Sequence, residues 1–114
     1  MNDEAIELRR KAVLELKGKP SEVAVPLLLQ AIEDTSWRIR KTATGMLVEE
    51  HRPEHYIGGL IRLLHLQENA GARNSSIETL VILGKKVTPF LVEALDTTDK
   101  DVRKFIIDIV GEVK

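Results

Sequence analysis

Cysteine is absent from all 114 residues, which excludes disulfide staples and thiolate metal centres and leaves apolar packing to hold the fold together. Aromatic residues make up only 4% of the chain, and the remaining apolar residues are mostly Leu, Val, Ile and Ala. That mix suits closely packed helices better than a strand-rich sandwich. Charge of one sign is lacking too. With 17 basic against 18 acidic residues the formal net charge is −1, so there is no global pull toward nucleic acid or anionic lipid. No run of 18 apolar residues reads as a membrane span, and the acidic opening "MNDEAIELRR" lacks the apolar stretch of a secretory signal. The expectation is a soluble cytoplasmic domain, long enough to bury a modest core.

What the chain does contain is a recurrence. An arginine behind an apolar residue appears in "WRIRKTA", "GARNSSI" and "DVRKFII", and Arg40, Arg73 and Arg103 are 33 and 30 residues apart. Pro26, Gly59 and Pro89 repeat those intervals, each 14 residues ahead of its arginine. Periods of this size mark stacked structural units. Counting from the arginine, with Arg9 opening the series, position −1 holds Leu8, Ile39, Ala72 and Val102. Position +3 holds Ala12, Ala43, Ser76 and Ile106, and position +7 holds Leu16, Leu47, Leu80 and Val110. Spacings of four place these on one helical face. A second stripe runs upstream, with Leu27, Leu60 and Phe90 at −13, Leu28, Ile61 and Leu91 at −12, and Ala31, Leu64 and Ala94 at −9.

Polar or small-residue breaks, "EDTS", "QENAG" and "DTTDKD", separate the two stripes and are long enough to turn the chain between antiparallel helices. The spacing predicts a leading helix at about 3–17, then helix pairs at about 22–33 with 37–51, 55–67 with 72–84, and 88–96 with 100–113. Thr88 before Pro89 reads as an N-cap and first helical residue, Ser21 as a cap for an earlier helix, and Thr98 or Asp99 as the cap of the last. Gly18, Gly84 and Gly111 fall near helix ends. The first unit has only its second helix, which implies a chain that opens mid-unit or a piece of a longer array. The apolar last helix calls for a partner, either another copy or further repeats.

The phrase "VAVPLLLQAIEDTSWRIRKTATGML" resembles a HEAT repeat of the short, phycobilisome-lyase-like type, and "VTPFLVEALDTTDKDVRKFIIDIVGEV" matches nearly as well. The middle unit departs from the pattern at Gly59, at Gln67 and Glu68, and at Ser76. The resemblance implies an all-α, right-handed α-solenoid of antiparallel helix hairpins over residues 1–114. It divides the chain into a half repeat at 1–19 and repeats at 20–53, 54–86 and 87–114. The second helices would line its concave side. The recurring arginine can reach an aspartate in the preceding turn, Asp34 for Arg40 and Asp96 for Arg103, and neighbouring carbonyls as well. Arg40, Arg73 and Arg103, with Asp34 and Asp96, are therefore expected to be structural joints.

Candidate chemistry is sparse. His51, Glu54 and His55 in "HRPEH" spell a zinc-protease pattern, but Pro53 breaks the helix that would align the two histidines, so a solvated loop is expected. His65, at an otherwise apolar position, reads as a partly buried interface residue. No phosphate loop, nucleophile or isolated carboxylate pair stands out, so neither an enzyme nor a cofactor is expected. A binding face is more plausible. Position +1 holds Arg10, Lys41, Asn74 and Lys104, and position +5 holds Leu14, Gly45, Glu78 and Asp108, with Val48 and Val81 at +8. A mostly basic row thus runs beside one that turns acidic, suited to a partner of mixed charge, although an ordinary solvated face has the same spelling. Trp37, next to Arg38, is expected to pack across the adjoining repeat, with an interface anchor as the alternative.

The function expected from these residues is a non-enzymatic scaffold that binds a protein or peptide partner on the second helices, through Arg10, Trp37, Arg38, Lys41, Asn74, Glu78, Lys104 and Asp108. Nucleic-acid binding through Arg10, Arg38, Lys41, Lys104 and Trp37 is the alternative, opposed by the neutral charge and the few aromatics. Bilin lyase activity is implied only by the family resemblance, and no catalytic residue carries over to a numbered position. No membrane role is expected.

Overall fold

The computed structural model describes residues 3–113 as seven α-helices: α1 (Asp3–Leu14), α2 (Ser21–Ala31), α3 (Trp37–Glu50), α4 (Ile57–Leu63), α5 (Ala70–Leu83), α6 (Thr88–Ala94) and α7 (Lys100–Glu112). Short 3-10 turns precede α4 at Pro53–His55 and α6 at Gly84–Val87, and there is no strand among the described residues. Helices α2, α4 and α6 pack on α3, α5 and α7 respectively, while α1, α3, α5 and α7 lie side by side in that order. This is the α-solenoid that the repeat implies. No described helix is long and apolar enough to cross a membrane.

Local chemistry sets the helix starts. Ser36 caps α3 by accepting from the Arg38 amide, Asn69 caps α5 through the Ala72 amide at 2.9 Å, and the Asp99 carboxylate accepts from the amides of Asp101 and Val102. Each satisfies amides that a helix start leaves orphaned, typically ~1 kcal/mol per cap. Asp99 was one of two cap candidates, whereas Ser36 and Asn69 carry no apolar neighbour pattern that singles them out. Ser21 is no cap. It is the first residue of α2, behind Pro20, and its Oγ lies 2.8 Å from Nδ1 of His51. Thr88 is likewise the first helical residue, not the cap, because the 3-10 turn ending at Val87 runs straight into α6. Gly18 and Gly84 take positive φ, as stops should, but α7 continues through Gly111.

The core is one continuous apolar seam. Ile39, Ala72 and Val102 at −1, Ala43, Ser76 and Ile106 at +3, and Leu47 and Leu80 at +7 are all buried. Each fully buried Leu or Ile contributes roughly 1.5–3 kcal/mol. The first unit breaks the pattern: Leu8 is 63% exposed and Ala12 is exposed, because no helix among the described residues packs on that face of α1. Position −13 also falls short of expectation. Leu60, in the hairpin flanked on both sides, is buried, while Leu27 and Phe90 in the outer hairpins are largely open.

The departures of the middle unit have packing causes. A Cβ at Gly59 would run into the Leu29 side chain, so the ring found at Pro26 and Pro89 has no room there. Ser76 is fully buried and donates to the Leu60 carbonyl at 2.6 Å, which satisfies its hydroxyl and ties α5 to α4.

Candidate interaction surface

The recurring arginines fasten units in two directions. Backward, the guanidinium of Arg40 donates to the carbonyls of Asp34 and Thr35, that of Arg73 to Leu66 and Gln67, and that of Arg103 to Thr97. These carbonyls lie in the loops that join each helix pair, beyond the ends of α2, α4 and α6 at Ala31, Leu63 and Ala94, and the charged donor satisfies acceptors that no helix ladder uses. Forward, Arg40 Nε donates to Ser75 Oγ at 2.9 Å, and Arg73 lies 6.0 Å from the centre of the Phe105 ring. Gly71 makes room for the first of these, since a Cβ there would come within 2.8 Å of the Arg40 guanidinium.

The expected aspartate partners are therefore corrected. Asp34 pairs with Arg9 of the first unit, at 2.9 Å, instead of with Arg40. Arg103 takes a carbonyl, and Asp96 is exposed. The reason is competition: loop carbonyls sit directly behind Arg40, Arg73 and Arg103 and take their guanidinium groups, which leaves the Asp34 carboxylate to Arg9. Burial works to raise the Asp34 carboxyl. The Arg9 and Ser36 hydrogen bonds and the charges of Arg9 and Arg40 outweigh it and hold the group below the usual carboxylate range.

The outward faces of α1, α3, α5 and α7 carry the candidate binding residues. Lys41, Asn74 and Lys104 are exposed, and Arg10 is half-buried and held by Glu7 at 3.2 Å. Glu78 and Asp108 are exposed one helical turn further along α5 and α7, and Leu14 and Gly45 hold the same place on α1 and α3. Trp37 departs from expectation. It is the first residue of α3 and 61% exposed, not packed across the next repeat. With Arg38, Ile6 and Asp3 it walls a shallow hollow of about 300 Å³, and Arg38 stands 3.7 Å from the Asp3 carboxylate. Lys41 is the next outward residue along α3, so the tryptophan joins the basic row at its edge.

Gly45 holds position +5 of α3. It sits mid-helix on the outward face of α3, and a Cβ there would meet nothing within 4 Å. A glycine in a helix interior costs ~0.5–1 kcal/mol relative to alanine, and no internal contact demands it.

The histidines are placed apart. His51 follows α3 and engages Ser21, while His55 ends the 3-10 turn, exposed. His65 is exposed rather than partly buried, since α4 stops at Leu63 and leaves it on the closing turn, near the Ile61 carbonyl and the Thr97 hydroxyl. Among the described residues no three His, Asp or Glu side chains are grouped as metal ligands.

The model of a protein family, HEAT repeats, matches residues 1–81. The chain belongs to the HEAT-repeat family. No curated protein and no solved structure matches this HEAT-repeat protein. HEAT repeats generally mediate protein–protein interaction, and the family typically serves as a non-catalytic scaffold. The third hairpin, α6 with α7, lies beyond the matched segment but keeps the arginine–carbonyl clasp of the others.

Proposed function

We propose that this protein is a non-enzymatic scaffold that takes a polypeptide across the outward faces of its second helices. The observation that carries this reading is the charge order of that surface: Arg10, Lys41 and Lys104 in one row, beside a row that runs from Leu14 and Gly45 to Glu78 and Asp108. A segment with carboxylates toward the basic row and a basic residue toward Glu78 and Asp108 is complementary to it. Gly45 supports the same reading, because a bare backbone at the centre of the surface lets a partner approach closely. Trp37 and Arg38 extend the contact at the edge, and Asn74 supplies a neutral hydrogen-bonding site between Lys41 and Lys104. A chain without cysteine suits the reducing cytoplasm. The lyase-like subtype rests on the repeat spelling alone, and no residue here gives it a mechanism.

A comparison of captured partners decides the matter. Wild type and a variant carrying Arg10→Glu, Lys41→Glu and Lys104→Glu are used as baits. The expected result is loss of specific partners from the variant, which keeps its fold because all three side chains reach solvent; identical partner lists would reject this face. Exposed Trp37 beside Arg38 is the one feature that favours nucleic acid instead. Glu78 and Asp108 on the same surface oppose it, and a salt titration of single-stranded DNA binding separates the two, since phosphate contacts weaken steeply with salt.

A further inference from the structure

A polypeptide on the outward face, as proposed above, meets charges of two kinds. Some are already engaged within the chain: Arg10 is held by Glu7 at 3.2 Å, and Arg38 stands 3.7 Å from Asp3. Others are not. Lys41 on α3, Lys104 and Asp108 on α7, and Glu78 on α5 are exposed and make no ion pair among the described residues. No carboxylate stands three or four residues from Lys41 on its own helix, where Trp37, Arg38, Thr44 and Gly45 are the neighbours. Between the two lysines lies α5, whose exposed Asn74 holds the same position in its unit and makes no side-chain hydrogen bond among the described residues. The strip beside these groups is no apolar trough. Ile77 and Val81 of α5 are half-buried against the core, and the centre of α3 shows Thr44 and Gly45, with Val48 half-buried below them. An amphipathic helix needs a hydrophobic groove for its stripe, so the face suits an extended segment held by its charges.

We infer that the occupant is an extended acidic segment whose two carboxylates, about six residues apart, meet Lys41 and Lys104. Spacing decides this. Helices α3, α5 and α7 lie side by side. Packed helix axes are about 8–10 Å apart, so two steps separate the lysine-bearing helices by about 16–20 Å. An extended or polyproline-type chain advances about 3.1–3.4 Å per residue, so about three residues cross one helix and six cross two. In the polyproline form every third residue returns to the same side, which turns the first, fourth and seventh residues toward α3, α5 and α7. The fourth lies over Asn74, whose neutral amide asks for no charge and can bond the main chain of the segment. A basic residue next to the fourth reaches Glu78, about 6 Å along α5 from Asn74. At Gly45 the bare backbone lets the segment come close beside Lys41. Adjacent acids cannot serve both lysines, and a helical segment would need about 11–13 residues for the same span.

Trp37 reads the test: it is the only tryptophan, exposed, and one helical turn before Lys41, so its fluorescence reports a segment seated there. Three short synthetic peptides of serine, alanine and proline are titrated into the full chain at low salt. One carries two glutamates six residues apart, one carries two adjacent glutamates, and one carries a glutamate and a lysine six residues apart. Wild type is expected to bind the first roughly threefold or more tighter than the second, and the third most weakly. Lys104→Glu is expected to reverse the order of the first and third, and so is Lys41→Glu, whichever way the segment runs. Both side chains reach solvent, and circular dichroism checks that each variant remains helical. Equal affinity for spaced and adjacent glutamates would overturn the inference, because net charge alone would then attract. So would binding of none of the three, or tighter binding of a helical peptide with glutamates about eleven residues apart. Equal peptide affinities together with loss of partners from the charge-reversed bait would reject only the extended acidic form, whereas identical bait lists reject the face itself.

Discussion

Helices α1 and α5 are written in the same register, yet they live in different surroundings. In α5 the residues Ala72, Ser76, Thr79 and Leu80 are all buried, with α4 on one side and α3 and α7 on the others; in α1 only Val13 is. Leu8 at −1 meets solvent where Ala72 meets core. In a stacked array, what a residue contributes depends on its neighbouring units more than on its own spelling. The largest expected effect follows from that contrast. Leu80→Ala should cost ~2–5 kcal/mol, as a fully buried leucine does, while Leu8→Ala should stay within ~0.5 kcal/mol. Urea unfolding measures both. Equal losses would break the comparison.

The arginine joints sharpen it. Arg73 holds two carbonyls behind it and the Phe105 ring ahead, whereas Arg103 in the last described helix holds one carbonyl. Arg73→Met should therefore cost about 1.5–3 kcal/mol and Arg103→Met no more than about 1, since charged hydrogen bonds and a cation–π contact both go in the first. If the two cost the same, the forward contact contributes nothing. Gly45→Ala comes next and has the opposite sign. It should stabilise by about 0.5–1 kcal/mol, seen as a raised midpoint in thermal unfolding, because the added methyl meets open space. Loss of partner capture by that more stable variant would link the glycine to recognition.

These contrasts show what could be read from the residues and what could not. The helices, their pairing and the seam through Ile39, Leu47, Ala72, Leu80, Val102 and Ile106 follow from spacing, because burial on one face of a helix imposes a period on the chain. The arginines were legible as joints and neighbouring carbonyls as their partners, but the expected aspartate pairing was not found. Asp34 lies six residues before Arg40 and looks like its mate, yet which acceptor wins depends on the loop carbonyls behind the arginine and on the room that Gly71 leaves, both matters of three-dimensional placement. Trp37 and His65 were misplaced for a related reason. Each sits at a helix end, where a change of one residue in the boundary swings a side chain from seam to solvent. In the outward rows Lys41, Asn74, Glu78, Lys104 and Asp108 are exposed while Arg10 and Gly45 are half-buried, and exposure alone does not say what they meet.

The smallest expected effect lies in the Arg9–Asp34 ion pair, which bridges α1 to the next unit. The folded Asp34 carboxyl is held below its ordinary value, so its ionised form favours folding above about pH 4, the unfolded carboxylate range, and that contribution fades as pH falls through the folded value. Asp34→Asn removes it. The stability gap between wild type and variant should be constant near neutrality, narrow below about pH 4, and shrink in high salt, since Arg9 is partly exposed and the pair is screened. Arg9→Met should narrow the gap in the same window, because the guanidinium is the main group holding the carboxylate charged. A gap that persists unchanged at acid pH would mean that Asp34 acts through its hydrogen bond to the Ser36 amide, which asparagine only partly replaces, and that α1 is joined to the stack by packing of Val13 and Ile6 instead of by charge.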